Sequence, residues 1–258
     1  MSCFAKQSEQ VKSKNIFPAI CLVISGGHTQ LILMKGIGKY KILGETRDDA
    51  AGECFDKVAR ILGVGYPGGP AIAKIAKGFV RGRASVNLPR PMIYQKNYDF
   101  SFSGLKTAVL YEVKSGKRKV KNEKYIQAMS AEIQQAITAV LYEVKSGKRK
   151  VKNEKYIQAM SAEIQQAIID VLIHKTIKAA KNFNTKSIIL GGGVAANDEL
   201  RKQFMSNVKC QMSNVKFFVP PKNLCTDNAA MIAITAYFNQ KKATKDWQKI
   251  KADANLKI

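Results

Sequence analysis

Two apolar runs, Ala19-Ile20-Cys21-Leu22-Val23-Ile24 and Leu31-Ile32-Leu33-Met34, flank Ser25-Gly26-Gly27-His28-Thr29-Gln30, and this pairing constrains the fold most. The runs have the length and content of buried strands, which makes the residues between them a strand turn. Paired glycines allow positive φ there and bring bare backbone N–H groups close to a ligand, as a phosphate cradle requires. An ordinary tight turn also uses Gly-Gly, but it has no need of Ser25, His28 and Thr29 together.

A second glycine cluster has the same character. Ser187-Ile188-Ile189-Leu190 runs into Gly191-Gly192-Gly193-Val194-Ala195-Ala196-Asn197, and Asp198-Glu199 open a helical stretch. Strand, glycine-rich loop and helix N-terminus can lay backbone against a nucleotide. Close packing at a helix start is the other use of such glycines.

Between the clusters, residues 40–45 read as a third strand, giving a meander. Residues 48–62 read as a helix with Ala51, Cys54, Phe55, Val58 and Leu62 on one face and Asp49, Glu53 and Asp56 on another. A solvated stripe accounts for three such acids, and Asp49 and Glu53 also suit a helix start; Asp56 lies two turns in, where a carboxylate can accept from ribose hydroxyls or a substrate amine. Gly63-Val64-Gly65-Tyr66-Pro67-Gly68 formally matches GxGxxG, but it follows a helix, contains Pro67 and has no acid about 20 residues on. It reads as a turn into a helix over residues 71–77. Asp99-Phe100-Ser101-Phe102-Ser103-Gly104-Leu105-Lys106 reads as a strand edge and helix cap whose lysine can also meet an anion. A long core helix spans residues 156–182, with His174 beside its main stripe. Phe217-Phe218-Val219 is a short strand, and Cys225-Thr226-Asp227-Asn228 opens an apolar helix over Ala229–Phe238. Asp227 is either part of a helix cap or a metal ligand.

Residues 107–137 recur unchanged as residues 138–168, and Met205-Ser206-Asn207-Val208-Lys209 recurs as Met212-Ser213-Asn214-Val215-Lys216. Perfect single copies are unlike the diverged arrays of repeat proteins and read as recent duplications or sequence errors. Each 31-residue copy carries six Lys or Arg and three Glu. The formal charge of +24 therefore falls to roughly +20 without the extra copies, still basic enough to attract nucleic acid. A lysine-rich solvated surface produces the same excess. Five cysteines form no CxxC pair, the first residues have no signal-peptide core, and no apolar run reaches membrane-spanning length. A reduced, cytoplasmic protein is expected, without a membrane partner.

Six segments together resemble the TsaD family, the tRNA threonylcarbamoyladenosine synthases. They are residues 22–31, Asp48-Asp49-Ala50-Ala51-Gly52-Glu53 with Phe55-Asp56-Lys57, Tyr66-Pro67-Gly68-Gly69-Pro70, residues 99–106, Gly192 to Asn197, and Cys225 to Met231, in family order. The resemblance implies an α/β, actin-like ATPase (ribonuclease-H-like) fold, represented mainly by the second lobe of a two-lobed enzyme. Residues 1–17 would be a non-matching remnant, residues 18–238 the lobe and residues 239–258 a tail. It implies that Val23, Ile24, Ser25, Gly26 and Gly27 contact phosphates and substrate. Asp56 and Gly69 would hold threonylcarbamoyl-AMP (or ATP), Asn197 the adenosine part, and Asp227 a divalent iron or zinc. The implied reaction transfers the threonylcarbamoyl group to an adenosine beside the anticodon of tRNA, assisted by protein partners of that synthesis. A preceding lobe with a His-x-x-x-His pair is expected to be missing, since only His28 and His174 exist. The chain by itself is therefore expected to be impaired, or to act as a non-catalytic nucleotide-binding scaffold. A metalloprotease would need His-Glu-x-x-His, which does not occur.

Overall fold

The computed structural model describes residues 16–79, 86–115 and 154–240. Most of the expected remnant and tail, and residues 116–153 of the repeated stretch, lie outside them. Five strands form one mixed sheet: β1 (Ala19–Ile24), β2 (Thr29–Gly36), β3 (Lys39–Glu45), β4 (Ser187–Gly191) and β5 (Lys216–Phe218). Their order is β3-β2-β1-β4-β5. The first three are antiparallel neighbours, while β4 runs parallel to β1 and β5 parallel to β4. The meander expected from the sequence is present.

Strand alternation decides which side of the sheet is the core. Ile20, Leu22 and Ile24 of β1, with Leu31 and Leu33 of β2 and Ile188 and Leu190 of β4, point to the helices and are fully or nearly fully buried. The opposite face carries a smaller cluster of Ile16, Ala19, Met34 and Ile189. The helices on the main face are α1 (Ala51–Leu62), α2 (Gly68–Ala76), α3 (Ser103–Ser115) and α4 (Glu154–Asn182), with α5 (Asp198–Gln211) following β4. α4 is buried along both of its apolar sides, through Met160, Ile164, Ile168 and Leu172 on one and Ile169, Ile173 and Ile177 on the other. α6 (Ala229–Phe238) is apolar along its length yet has no buried residue, and Ile232 and Tyr237 are about two-thirds exposed.

The start of α1 differs from expectation. The helix begins at Ala51, not Asp48, because Asp48 is engaged elsewhere. Its carboxylate accepts the Ser101 hydroxyl at 2.5 Å, the Ser103 hydroxyl at 2.7 Å and the Phe102 N–H at 2.8 Å. The alternating serines of residues 99–106 are thus ligands of one carboxylate that ties the start of α3 to that of α1. Burial pushes the Asp48 pKa up, but these hydrogen bonds together outweigh it and hold the pKa below the ordinary value.

The two copies contribute to different described helices. α3 takes its body from the first copy, beginning at Thr107, and α4 takes its first half, through Ile168, from the second. Lys175, on the expected apolar stripe of α4, is fully buried and donates to the Asn97 carbonyl at 3.1 Å. His174 is exposed and meets the Tyr94 ring edge-on at 5.6 Å.

Candidate functional site

The β1–β2 turn closes through the Ser25 N–H to the His28 carbonyl at 2.8 Å. Neither Gly26 nor Gly27 has positive φ, contrary to the expectation of a left-handed glycine turn. The Ser25 hydroxyl explains the difference: it accepts the N–H groups of Gly27 at 3.3 Å and His28 at 3.0 Å, a side-chain turn that needs no left-handed residue. Those two N–H groups are therefore engaged and not bare. Thr29 faces inward, its hydroxyl accepting the Ala51 N–H at 2.9 Å.

Three glycines outside this turn bring the surrounding backbones together. A Cβ on Gly52 would lie 2.5 Å from the Ser25 carbonyl oxygen, so only glycine lets the first turn of α1 rest on the β1–β2 turn. One on Gly192, where φ is +87°, would lie 2.3 Å from the Ile24 carbonyl oxygen. One on Gly68 would lie 2.4 Å from the Phe55 carbonyl oxygen, where α2 starts against α1. Close packing was one of the two uses open to Gly192, and Gly68 was expected at a turn into a helix; Gly52 was visible only as one residue of a matched segment.

The resulting seams border a cleft of about 1260 Å³ between the β1–β2 turn, α1, α2, α4 and the start of α5. Gly26, Asp56, Gly69 and Asn197 line it together. Val23, Ile24, Ser25 and Gly27 do not; Ile24 is a core residue, and Val23 lies on the face of β1 away from the helices. Asp56 accepts the Gly68 N–H through Oδ1 at 2.7 Å, capping α2 where Pro67 has no side chain able to do so. Its other oxygen remains available to a ligand. Asn197 is the N-cap of α5, its Oδ1 accepting the Leu200 N–H at 3.0 Å while its Nδ2 donates to Gln165 at 2.9 Å.

Charge is unevenly distributed around the cleft. Lys74 and Lys77 line the α2 side, whereas Glu163, Asp198 and Glu199 line the α4–α5 side, with Lys202 one turn further along α5. The N-terminus of α5, expected to attract a phosphate, already has two acids in its first turn. The α2 end of the cleft is thus basic, and the end at Asn197 acidic.

Asp227 is exposed just before α6, and among the described residues no group of three or more His, Cys, Asp or Glu converges. A catalytic metal of the zinc type takes about three protein ligands, so these residues do not fit the implied iron or zinc. Asn228, not Asp227, caps α6, accepting the Met231 N–H at 2.9 Å. No described helix is long and apolar enough to cross a membrane.

The sequence is similar to proteins of known naming. The family model for tRNA N6-adenosine threonylcarbamoyltransferase, TsaD, matches residues 3–234. The chain is 43% identical over 242 residues to the protein of that name from Thermosipho africanus, covering 93% of this chain and 62% of that one. It is 40% identical over 249 residues to that of Endomicrobium trichonymphae, covering 96% and 62%, and 46% identical over 222 residues to that of Dehalococcoides mccartyi, covering 86% and 54%. The chain thus spans little more than half of these relatives' lengths. With the family model matched across most of its residues, the chain belongs to the TsaD family of tRNA N6-adenosine threonylcarbamoyltransferases.

Proposed function

We propose that this chain holds threonylcarbamoyl-AMP for transfer of its threonylcarbamoyl group to an adenosine next to the anticodon of tRNA. The observation that carries this reading is the shared cleft: Gly26, Asp56, Gly69 and Asn197 come from four separate segments and line one cavity. The lysine side of that cavity suits the adenylate phosphate, and the acidic side suits the nucleoside. The acceptor amine would attack the carbonyl carbon, the bond to the phosphate oxygen would break, and AMP would leave with that electron pair. Within this scheme Gly26 and Gly69 supply close backbone approach, the free oxygen of Asp56 accepts from a hydroxyl or amine, and Asn197 orients the adenosine.

The chain represents mainly the second lobe of the actin-like, ribonuclease-H-like architecture that its family implies, and the order β3-β2-β1-β4-β5 supports that assignment. Protein partners of threonylcarbamoyladenosine synthesis and tRNA complete the working assembly. Because no three His, Cys, Asp or Glu converge among the described residues, the contribution assigned to them is binding and orientation, and turnover by the chain alone is expected to be severely impaired. The same observation favours a second reading, a nucleotide-binding scaffold without catalysis.

Titration calorimetry with ATP and AMP, followed by a transfer assay on unmodified tRNA, tests both. Nucleotide binding with transfer only when partner proteins are added supports the first reading. Binding without transfer under any combination supports the scaffold. Failure to bind either nucleotide removes both.

A further inference from the structure

An amide network at the acidic end of the cleft determines which way one side chain must point. The Leu200 N–H donates to Oδ1 of Asn197, so Nδ2 of Asn197 has to face the opposite side. There it meets Oε1 of Gln165 at 2.9 Å. An amide oxygen accepting this bond leaves the nitrogen of Gln165 as the other limb of the fork. Gln165 is 7% exposed and lines the cleft, and its Nε2 makes no hydrogen bond among the described residues. That nitrogen is not enclosed by protein atoms and opens onto the cleft, where a ligand can take its hydrogen. Its neighbours Gln166 and Gln203, by contrast, bond each other, Asp170 and Glu199 through their amide nitrogens.

We propose that Nε2 of Gln165 donates to an acceptor atom on the adenosine part of the bound nucleotide, a purine ring nitrogen or a ribose oxygen. The inference rests on the nucleotide-binding reading above and adds a residue to it. Asn197 acts as the positioning residue: capping α5 fixes its flip, and its flip fixes that of Gln165. The nucleoside end of the cleft is thereby read by a donor whose orientation is set by the fold and not by the ligand. Acidic Glu163 and Glu199 on the same side disfavour a phosphate oxygen as the acceptor.

The duplication supplies an internal control. Gln165 has an identical twin, Gln134, in the first copy, outside the described residues, within the same 31-residue sequence. The experiment uses the full chain and titration calorimetry with ATP, 2′-deoxy-ATP, 3-deaza-ATP and 7-deaza-ATP. Gln165→Met removes the donor at nearly constant length, and Gln165→Glu removes it while keeping an oxygen for Asn197. The wild-type chain is expected to lose roughly three- to tenfold in affinity for one analogue, the one lacking the acceptor. Both variants should lose a similar factor for ATP and be indifferent to that analogue, with Gln134→Met unchanged throughout. Equal ATP affinity in wild type and both variants overturns the proposal, as does an analogue penalty that persists in the variants. If Gln134→Met alone weakens binding, the assignment to Gln165 is wrong. If the wild-type chain binds no ATP, the nucleotide reading itself fails, and this inference falls with it. Thermal midpoints without ligand separate lost contacts from lost folding.

Discussion

Lys106 of α3 reaches Asp49, just ahead of α1, across 3.0 Å, with both side chains about 10% exposed. The contact is an ion pair, not an aligned hydrogen bond, for Asp49 Oδ2 has no hydrogen-bond partner. Lys57 closes on Oδ1 of the same carboxylate at 2.6 Å and also pairs with Glu53. The lysine of residues 99–106 therefore meets an anion of its own chain. Burial lowers the Lys57 pKa, but hydrogen bonds and charge from Asp49 and Glu53 outweigh it and raise the pKa above its usual value. Asp49→Asn strands Lys106 at a buried site, while Lys57 keeps Glu53, and is expected to destabilise the chain by about 3 kcal/mol. Urea unfolding of Asp49→Asn, and of that change combined with Lys106→Met, checks this: the second substitution should recover part of the loss.

Stability should respond to different glycines than ligand binding does. Gly52→Ala places a methyl group against backbone that cannot swing aside and should cost more than about 2 kcal/mol. Nothing lies within 4 Å of a Cβ at Gly26, and its φ is not positive, so Gly26→Ala should stay within about 1 kcal/mol. Denaturation midpoints of the two variants compare them directly, and similar losses would contradict the geometry.

Lys175 predicts a pH dependence. Its burial, followed by the nearby charge of Lys178, pulls its pKa down from 10.5 to about 8, against an upward pull from Asp99 and a further downward one from Arg47. Between these values the unfolded chain holds a proton that the folded chain has lost, so stability rises with pH from about 8 to 10.5. Below pH 8 the charged form costs roughly 3 kcal/mol relative to an unperturbed lysine. Lys175→Met should flatten that rise and stabilise the chain at neutral pH. Thermal midpoints of both proteins at intervals from pH 7 to 10.5 provide the check.

Removing residues 107–137 yields the same protein as removing residues 138–168, and either deletion keeps the sequence of the described parts of α3 and α4. The connection from α3 to α4 is 38 residues, 116 to 153, and becomes seven after the deletion. The deletion variant is therefore expected to unfold cooperatively in a urea titration. Glu163 pairs with Arg90 and accepts the Leu88 N–H at 3.3 Å, so Glu163→Gln should cost roughly 1–2 kcal/mol. A urea titration of Glu163→Gln checks this.

How far the sequence could be read depended on range. The meander, the apolar faces of α1 and α4 and the two glycine loops follow from strand and helix periodicity, which is local. The repeated pentapeptide marks the limit. Residues 205–209 are helical within α5, while the identical residues 212–216 form a turn running into β5. Val208 is buried in the helix, and Val215 packs on the same core from the turn, so position in the fold and not propensity chose the conformation. The site divides in the same way. Gly26, Gly69 and Asn197 were recoverable because each sits at an element end, and Asp56 because an acid two turns into a helix has no capping role of its own there. Gln165 was not, since a glutamine within an apolar helix carries no signal until Asn197 lies beside it. Asp48 was misassigned to α1 because its partners, Ser101 and Ser103, are more than fifty residues away.

The seams at Gly52, Gly68 and Gly192 restrict how this cleft can diverge. Each is a main-chain surface resting on another main-chain surface, with no side chain between them to be trimmed. A bulky replacement in an ordinary core can be rescued by shrinking a neighbour, but a carbonyl oxygen cannot be shrunk. Suppressor mutations are therefore not expected at these three contacts, whereas the cleft's side chains are free to drift. Among descendants of such a chain, specificity can change long before the walls of the cleft can move.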